Sequence, residues 1–144
     1  MTILVALDLS DSTDKVIIVA KTMAKMMKCP MYLLHVAEPN PDFVGYDVGP
    51  ETVRDQLAAE FHQQHKAIQQ FSQELRDSGI DCKAILAQGP TVETVLNQAK
   101  KISAEFIIIG SHGHGAVYDI LVGSISAGII KKSNIPVTLV PVKD

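Results

Sequence analysis

Five short apolar runs, separated by longer stretches of mixed polarity, leave this chain few ways to fold. The runs are Ile3–Leu7, Met31–Val36, Asp81–Gln88 (with CKAILA inside it), Phe106–Ile109 and Val137–Val142. Near-continuous apolar runs of strand length suit strands covered on both faces, as in a parallel sheet under helices. The third run alternates more than the others and reads as an edge. The last is set between Pro136 and Pro141, which an edge tolerates because a missing donor costs little there.

The intervening stretches carry helical spacing. Asp8-Leu9-Ser10-Asp11-Ser12 is rich in N-cap residues, and from Lys15 to Lys28 the positions Val16, Val19, Ala20, Met23, Ala24 and Met27 recur at three- and four-residue steps. Residues 38 to 50 hold Pro39, Pro41, Gly45, Gly49 and Pro50, which makes them a loop of a length at which loops tend to be functional or mobile. Glu51 then opens a long polar helix with Leu57, Phe61, Ile68, Phe71 and Leu75 on one face and Gly79 as its stop. His62 and His65 fall on its wet side, three apart and without a third ligand, so no metal site is indicated. Gly89-Pro90-Thr91 starts a third helix with proline in its first turn, and Val92, Val95, Leu96, Ala99 and Ile102 form its buried stripe. A fourth helix runs from about Ser124 to Lys132.

The order β-α-β-α-β-α-β-α-β, with spacers long enough for right-handed parallel crossovers, predicts one doubly wound α/β domain over residues 1–144. Hydrophobic residues make up 47% of the chain and aromatics 5%, with no Trp, so the core must be aliphatic. A net charge of -3 with both signs interspersed offers no broad basic surface to nucleic acid or an anionic membrane. Cys29 and Cys82 form no CxxC and no Cys/His cluster, which indicates core thiols and neither a zinc site nor a disulfide. The opening run lacks a basic flank and stops at Asp8, and no apolar segment approaches the roughly 18 residues of a membrane span, so a cytoplasmic location is expected.

The chemistry concentrates in Gly110 to Ser126, GSHGHGAVYDILVGSIS, which follows the fourth run. Gly110 and Gly113 are separated by two residues, and nine more precede Gly123 and Ser124. Glycines admit a ligand close to the backbone, and the N–H groups that open a helix favour an anion. The stretch is neither a Walker A loop, because no Lys follows the last glycine, nor GxGxxG. Gly110, Gly113, Gly115 and Gly123 are hard to explain by turning alone, whereas Asp8 has a plain alternative role as N-terminal cap of the first helix. Ser124, Ile125 and Ser126 offer backbone N–H groups, the two serines add hydroxyls, and His112 and His114 could add partial positive charge. With no Lys or Arg in the loop, phosphate would be held mainly by backbone dipoles and a bound divalent cation. In a doubly wound sheet the ligand sits outside the carboxyl ends of the strands, where this chain has Asp8, Val36-Ala37 and Gly110.

Over essentially its whole length the chain resembles the universal stress proteins. The likeness rests on ILVALDLSD, LLHV, the GP start of the third helix, FIIIGSHGHG, VGSIS and NIPVTLVPV. Gly110, Gly113, Gly123 and Ser124 meet the G-2x-G-9x-G-S/T motif of the family's ATP-binding branch. The expected fold is accordingly a three-layer, Rossmann-like, five-stranded parallel sheet of order 3-2-1-4-5 with helices on both faces. The resemblance further implies an ATP site in which Ala6 and Asp8 face the nucleoside and Val36 meets adenine through its backbone. The phosphates, with Mg or Mn held mainly by them, lie against Gly110, His112, Gly113, His114, Gly115, Gly123, Ser124, Ile125 and Ser126. Where many relatives carry Arg or Lys, this chain has His114, which makes charge compensation pH-dependent. The last strand, 137–142, pairs across a two-fold axis in similar proteins, so a homodimer is expected, as is a protein partner such as a transporter or signalling protein.

An enzyme would need a base or nucleophile at the γ-phosphate. His112, His114 and Asp119 stand in no recognisable catalytic arrangement, so slow ATP hydrolysis is the most that is expected. The reading is a nucleotide-responsive regulatory or stress-response module, with a slow ATPase or a nucleotide-independent partner subunit as alternatives. A flavin carrier would have only Phe43, Tyr46 and Tyr118 to sandwich its ring.

Overall fold

A computed structural model describes residues 1–37, 50–111 and 122–142. Five strands, β1 (Ile3–Ala6), β2 (Met31–Ala37), β3 (Cys82–Gln88), β4 (Phe106–Gly110) and β5 (Val137–Val140), alternate with four helices, α1 (Thr13–Met27), α2 (Pro50–Asp77), α3 (Thr91–Lys101) and α4 (Ser124–Lys132). The strands form one sheet in the order β3-β2-β1-β4-β5, and every pairing is parallel. The doubly wound expectation therefore holds, including the strand order and the edge position of β3.

Alternation along the buried strands divides the core in two. Ile3, Val5, Leu33 and Ile108 point to the face covered by Val16, Ala20 and Ala24 of α1 and by Ile68 and Leu75 of α2. Leu4, Leu34, Ile107 and Ile109 point to the other face, under Val95 and Ala99 of α3 and Ile129 of α4. Three successive residues of β1, Ile3, Leu4 and Val5, have no exposed surface, because both faces of the central strand are roofed.

Several boundaries differ from the sequence reading for identifiable reasons. Pro50, assigned to the loop, is the first residue of α2, a position where a missing N–H removes no helical bond. Pro90 is the N-cap of α3 in an extended conformation (ψ 128), so the helix begins at Thr91. β5 ends at Val140, since Pro141 can donate nothing to the ladder. Residues 38–49 of the expected loop lie outside the described residues. At 28 residues α2 is about 42 Å long, against roughly 23 Å for the seven-residue β2 and β3 beside it. Ile68 and Leu75 are accordingly buried, whereas Leu57, expected on the buried face, is exposed on the overhanging half.

Packing between α3 and α4 depends on Gly128, where an added Cβ would come within 2.9 Å of Val92 Cγ2. Gly128→Ala should lower stability by about 1–3 kcal/mol through overpacking, and Val92→Ala in the same chain should recover part of the loss. Urea unfolding of the three variants checks this. Thr13, 3% exposed at the start of α1, has a hydroxyl with no hydrogen-bond partner among the described residues. Replacing a buried, unpaired hydroxyl by an isosteric methyl removes a desolvation penalty, so Thr13→Val should raise the unfolding free energy, by about 1 kcal/mol.

Candidate functional site

The strand order reverses between β1 and β4, whose crossovers depart to opposite sides of the sheet. Val5 is paired with Ile108, so the exits of β1 after Ala6 and of β4 after Gly110 lie side by side. That is the switch point at which doubly wound sheets take ligands.

Two bonds fasten the start of α4 to the end of β4, and a third ties that end to β5. The Gly123 N–H donates to the Ser111 carbonyl (2.7 Å), the Ser126 hydroxyl donates to the Gly110 carbonyl (2.6 Å), and the Ser111 N–H donates to Val140 (2.8 Å). The first intrahelical donor is Ala127, bonded to the Gly123 carbonyl at 2.9 Å. The N–H groups of Ser124, Ile125 and Ser126 come before it, and Gly123 at the N-cap has no side chain to cap them. Ser124 and Ile125 are exposed, so this end of α4 opens to solvent. The Ser126 hydroxyl is different. It is buried and its hydrogen is committed to Gly110, so only the Ser124 hydroxyl stands free of a bond to the β4 end.

Gly123 has φ -69 and ψ 165, a conformation open to any residue, and Gly110 sits in the regular β4–β5 ladder opposite Val140. Neither glycine is required by its backbone angles. What distinguishes glycine from other residues at such a position is the space its missing side chain leaves.

On the β1 side, Asp8 is exposed, and its Oδ1 accepts from the Ser10 N–H (3.0 Å) and the Ser10 hydroxyl (2.7 Å). Ser12 Oγ lies 2.8 Å from Ser10 Oγ, and with the Ser10 hydrogen committed to Asp8 it is Ser12 that donates. The N-cap of α1 is Ser12, so Asp8 does not cap that helix. Ala6 is half-buried, and Val36 is buried in the core half under α3 and α4. The structure thus brings Ala6, Asp8, Gly110, Gly123, Ser124, Ile125 and Ser126 to the carboxyl edge around the β1–β4 exits, with Val36 one strand away on β2. His112, Gly113, His114 and Gly115, with Asp119, Tyr118, Phe43 and Tyr46, lie outside the described residues.

One backbone conformation and one contact here had no sequence signal. Leu9 takes φ 59, a left-handed conformation that side chains avoid, and the buried His35 places Nδ1 2.8 Å from the Leu7 carbonyl. His35 stands out in the sequence only as the one ionisable residue of its strand. Elsewhere, burial pushes the thiols of Cys29 and Cys82 above their usual range, in keeping with core residues. His62 and His65 are exposed and border an open groove of about 460 Å³ with Ala58, Phe61 and Leu86. Among the described residues no group of three or more His, Cys, Asp or Glu could hold a metal, and no helix is long and apolar enough to cross a membrane.

A five-stranded, doubly wound α/β domain with an uncapped helix N-terminus at its switch point is the class defined by these features. The chain belongs to the universal stress protein family, whose model matches residues 1–141. It is similar to the "Universal stress protein in QAH/OAS sulfhydrylase 3'region" of Thermus aquaticus, at 30% identity over 140 residues covering 96% of this chain and 97% of the relative. Universal stress protein YxiE of Bacillus subtilis is 27% identical over 142 residues, covering 95% and 96%. Among solved structures, protein MJ0577 superposes with a TM-score of 0.81 at 27% identity, covering 99% of this chain and 96% of that one.

Ser126→Ala would leave the Gly110 carbonyl without its donor at the join between β4 and α4. A loss of about 1–3 kcal/mol is expected, read as a lower urea midpoint at unchanged slope.

Proposed function

We propose that this chain is an ATP-binding regulatory or stress-response module. The observation that carries the reading is the start of α4: three backbone N–H groups with no side-chain cap, held at the switch point by the Gly123 and Ser126 bonds, behind a glycine whose angles do not call for glycine. Such an end attracts an anion through oriented N–H groups and the positive end of the helix dipole. Phosphates would accept from the N–H groups of Ser124, Ile125 and Ser126 and from the Ser124 hydroxyl. Asp8 would accept from ribose hydroxyls, and the backbone at Val36 would meet the base. Gly110, His112, Gly113, His114 and Gly115 complete the cradle on the reading of the G-2x-G-9x-G-S/T motif.

No Lys or Arg occurs between Gly110 and Ser126, so the triphosphate charge is balanced by backbone dipoles, by His112 and His114, and by Mg or Mn held mainly by the phosphates. His112, His114 and Asp119 stand in no recognisable catalytic arrangement in the sequence, so the reading is a site that holds ATP and at most hydrolyses it slowly. Solved universal stress proteins of the same fold include a complex with cAMP and one with dAMP, at TM-scores of 0.73 and 0.66. At 17% and 21% identity they support the fold's capacity for an adenine nucleotide and leave the choice of ATP to the residues of this chain.

Assembly belongs to the same proposal. β5 is an edge strand with Val137, Thr138 and Leu139 only half-buried, and an apolar edge calls for a cover. A second copy pairing along β5 would supply it, giving a cytoplasmic homodimer whose state answers to ATP and is read by a protein partner.

Mass analysis of nucleotide carried through purification tests the ligand, and Mg-ATP at 100-fold over its dissociation constant should stabilise the fold by about 2.7 kcal/mol. Gly123→Val should abolish ATP binding without unfolding the domain, because its side chain fills the space the phosphates need. Retained ATP affinity in that variant would sink the assignment.

A further inference from the structure

β1 leaves the sheet at Leu7, and the manner of its leaving involves a side chain that the site as described does not use. The β1–β2 ladder ends at Ala6 opposite Leu34, after which the Leu7 N–H makes one more bond, to the Leu34 carbonyl at 2.8 Å. Another rung would pair the Leu7 carbonyl with a backbone N–H of β2. Here His35 Nδ1 takes that carbonyl instead, at 2.8 Å. A carbonyl can only accept, so Nδ1 carries the hydrogen, and the imidazole substitutes for a backbone donor at the point where the ladder stops. The ring is 8% exposed, so water does not offer a ready replacement.

Two residues further on, Leu9 holds φ 59. For a residue with a Cβ that conformation costs about 1–2 kcal/mol and persists only where its surroundings over-determine it. Three contacts do so. His35 fixes the carbonyl before the turn, the Leu9 side chain packs against the core under α1 and α2, and Asp8 Oδ1 gathers the Ser10 N–H and hydroxyl after it. The direction of the Asp8 carboxylate is set between the first and last of these.

We propose that His35 is a positioning residue for the ligand site. By holding the Leu7 carbonyl it keeps the Leu9 turn left-handed and aims the Asp8 carboxylate out of the carboxyl edge, where a ribose hydroxyl can reach it. The inference rests on the reading of Asp8 as a nucleoside contact. The strain at Leu9 gives it a direction: without the His35 bond the turn relaxes toward ordinary angles and Asp8 turns with it.

The test uses His35→Leu, which keeps the bulk and removes the donor, and His35→Asn, whose amide N–H stands where Nδ1–H does. In nucleotide-free protein, exchange of the Ser10 amide should quicken about tenfold in H35L relative to wild type and return in H35N, while the Ile108 amide in the central ladder stays protected. Adenine nucleotide affinity should fall about five- to tenfold in H35L, recover in H35N, and show no further loss when H35L is added to Asp8→Ala. A residue that only supports the fold would weaken binding in both backgrounds and would not be rescued in this selective way. Unchanged Ser10 exchange in H35L overturns the proposal. Because that readout needs no nucleotide, a chain that binds no ATP would defeat the functional reading and leave the positioning of Asp8 to be decided on exchange alone. Should H35L fail to fold, the long-range nitrogen spectrum of wild-type His35 decides: hydrogen on Nδ1 supports the role, and hydrogen on Nε2 alone overturns it.

Discussion

A parallel sheet buried on both faces must find a partner for every backbone N–H and carbonyl at the point where each strand stops pairing, because water is remote and an unpaired group costs about 1–3 kcal/mol. The carboxyl edge of this domain is a set of answers to that demand. The carbonyl of Ala37, the last residue of β2, accepts from the Gly89 N–H. The Gly110 carbonyl takes the Ser126 hydroxyl and the Ser111 carbonyl takes the Gly123 N–H. The Val142 N–H donates to Ser111 Oγ, and the Val142 carbonyl accepts from Lys15 Nζ. The Leu7 carbonyl takes His35. Each answer ties one exit loop to another element, so the same bonds that satisfy the sheet also fix the groups that face a ligand.

That coupling explains why serines in one short segment do different work. In VGSIS, Ser124 and Ser126 are two apart, which on a helix turns them to different sides. Ser126 faces the sheet and is buried against β4, while Ser124 faces out. A spacing motif treats them alike as hydroxyl donors. Only the helix phase separates the one that fastens α4 from the one left at the open end, and the phase follows from where α4 starts.

The fold was legible in the sequence because its signals are local and repeated. Apolar runs such as FIIIG and helical spacing such as Val92-Val95-Leu96-Ala99 each specify an element without reference to the rest, and the number of crossovers then limits the topology. The errors of one or a few residues at Pro50, Pro90 and Val140 arise where proline acts through its ring angle or its missing donor, which depends on the position it takes at the boundary. Leu57 misled for another reason: helical periodicity marks an apolar face, and nothing in it states that the sheet beneath ends before the helix does. The candidate site was legible as a composition of glycines, serines and an aspartate. Its geometry was not, since the left-handed Leu9 and the His35–Leu7 bond join residues by long-range packing that no spacing encodes.

Glycine in such a site can serve the backbone or the ligand, and the two uses leave different marks. Gly89 at φ 141 and Gly79 at φ 91 serve the backbone, because side chains rarely adopt those angles. Gly123 at φ -69 leaves the chain no reason of its own to prefer glycine at the mouth of α4. A serine or aspartate there would accept from one of the first N–H groups and stabilise the helix by roughly a few tenths of a kcal/mol over glycine. Forgoing that cap leaves the N–H groups of Ser124, Ile125 and Ser126 without a side-chain partner at the switch point. The starts of α1 and α3 also lack a side-chain cap bond; what sets α4 apart is a glycine at its N-cap beside the β1–β4 exits, and that combination is the feature of this edge that most favours an external anion.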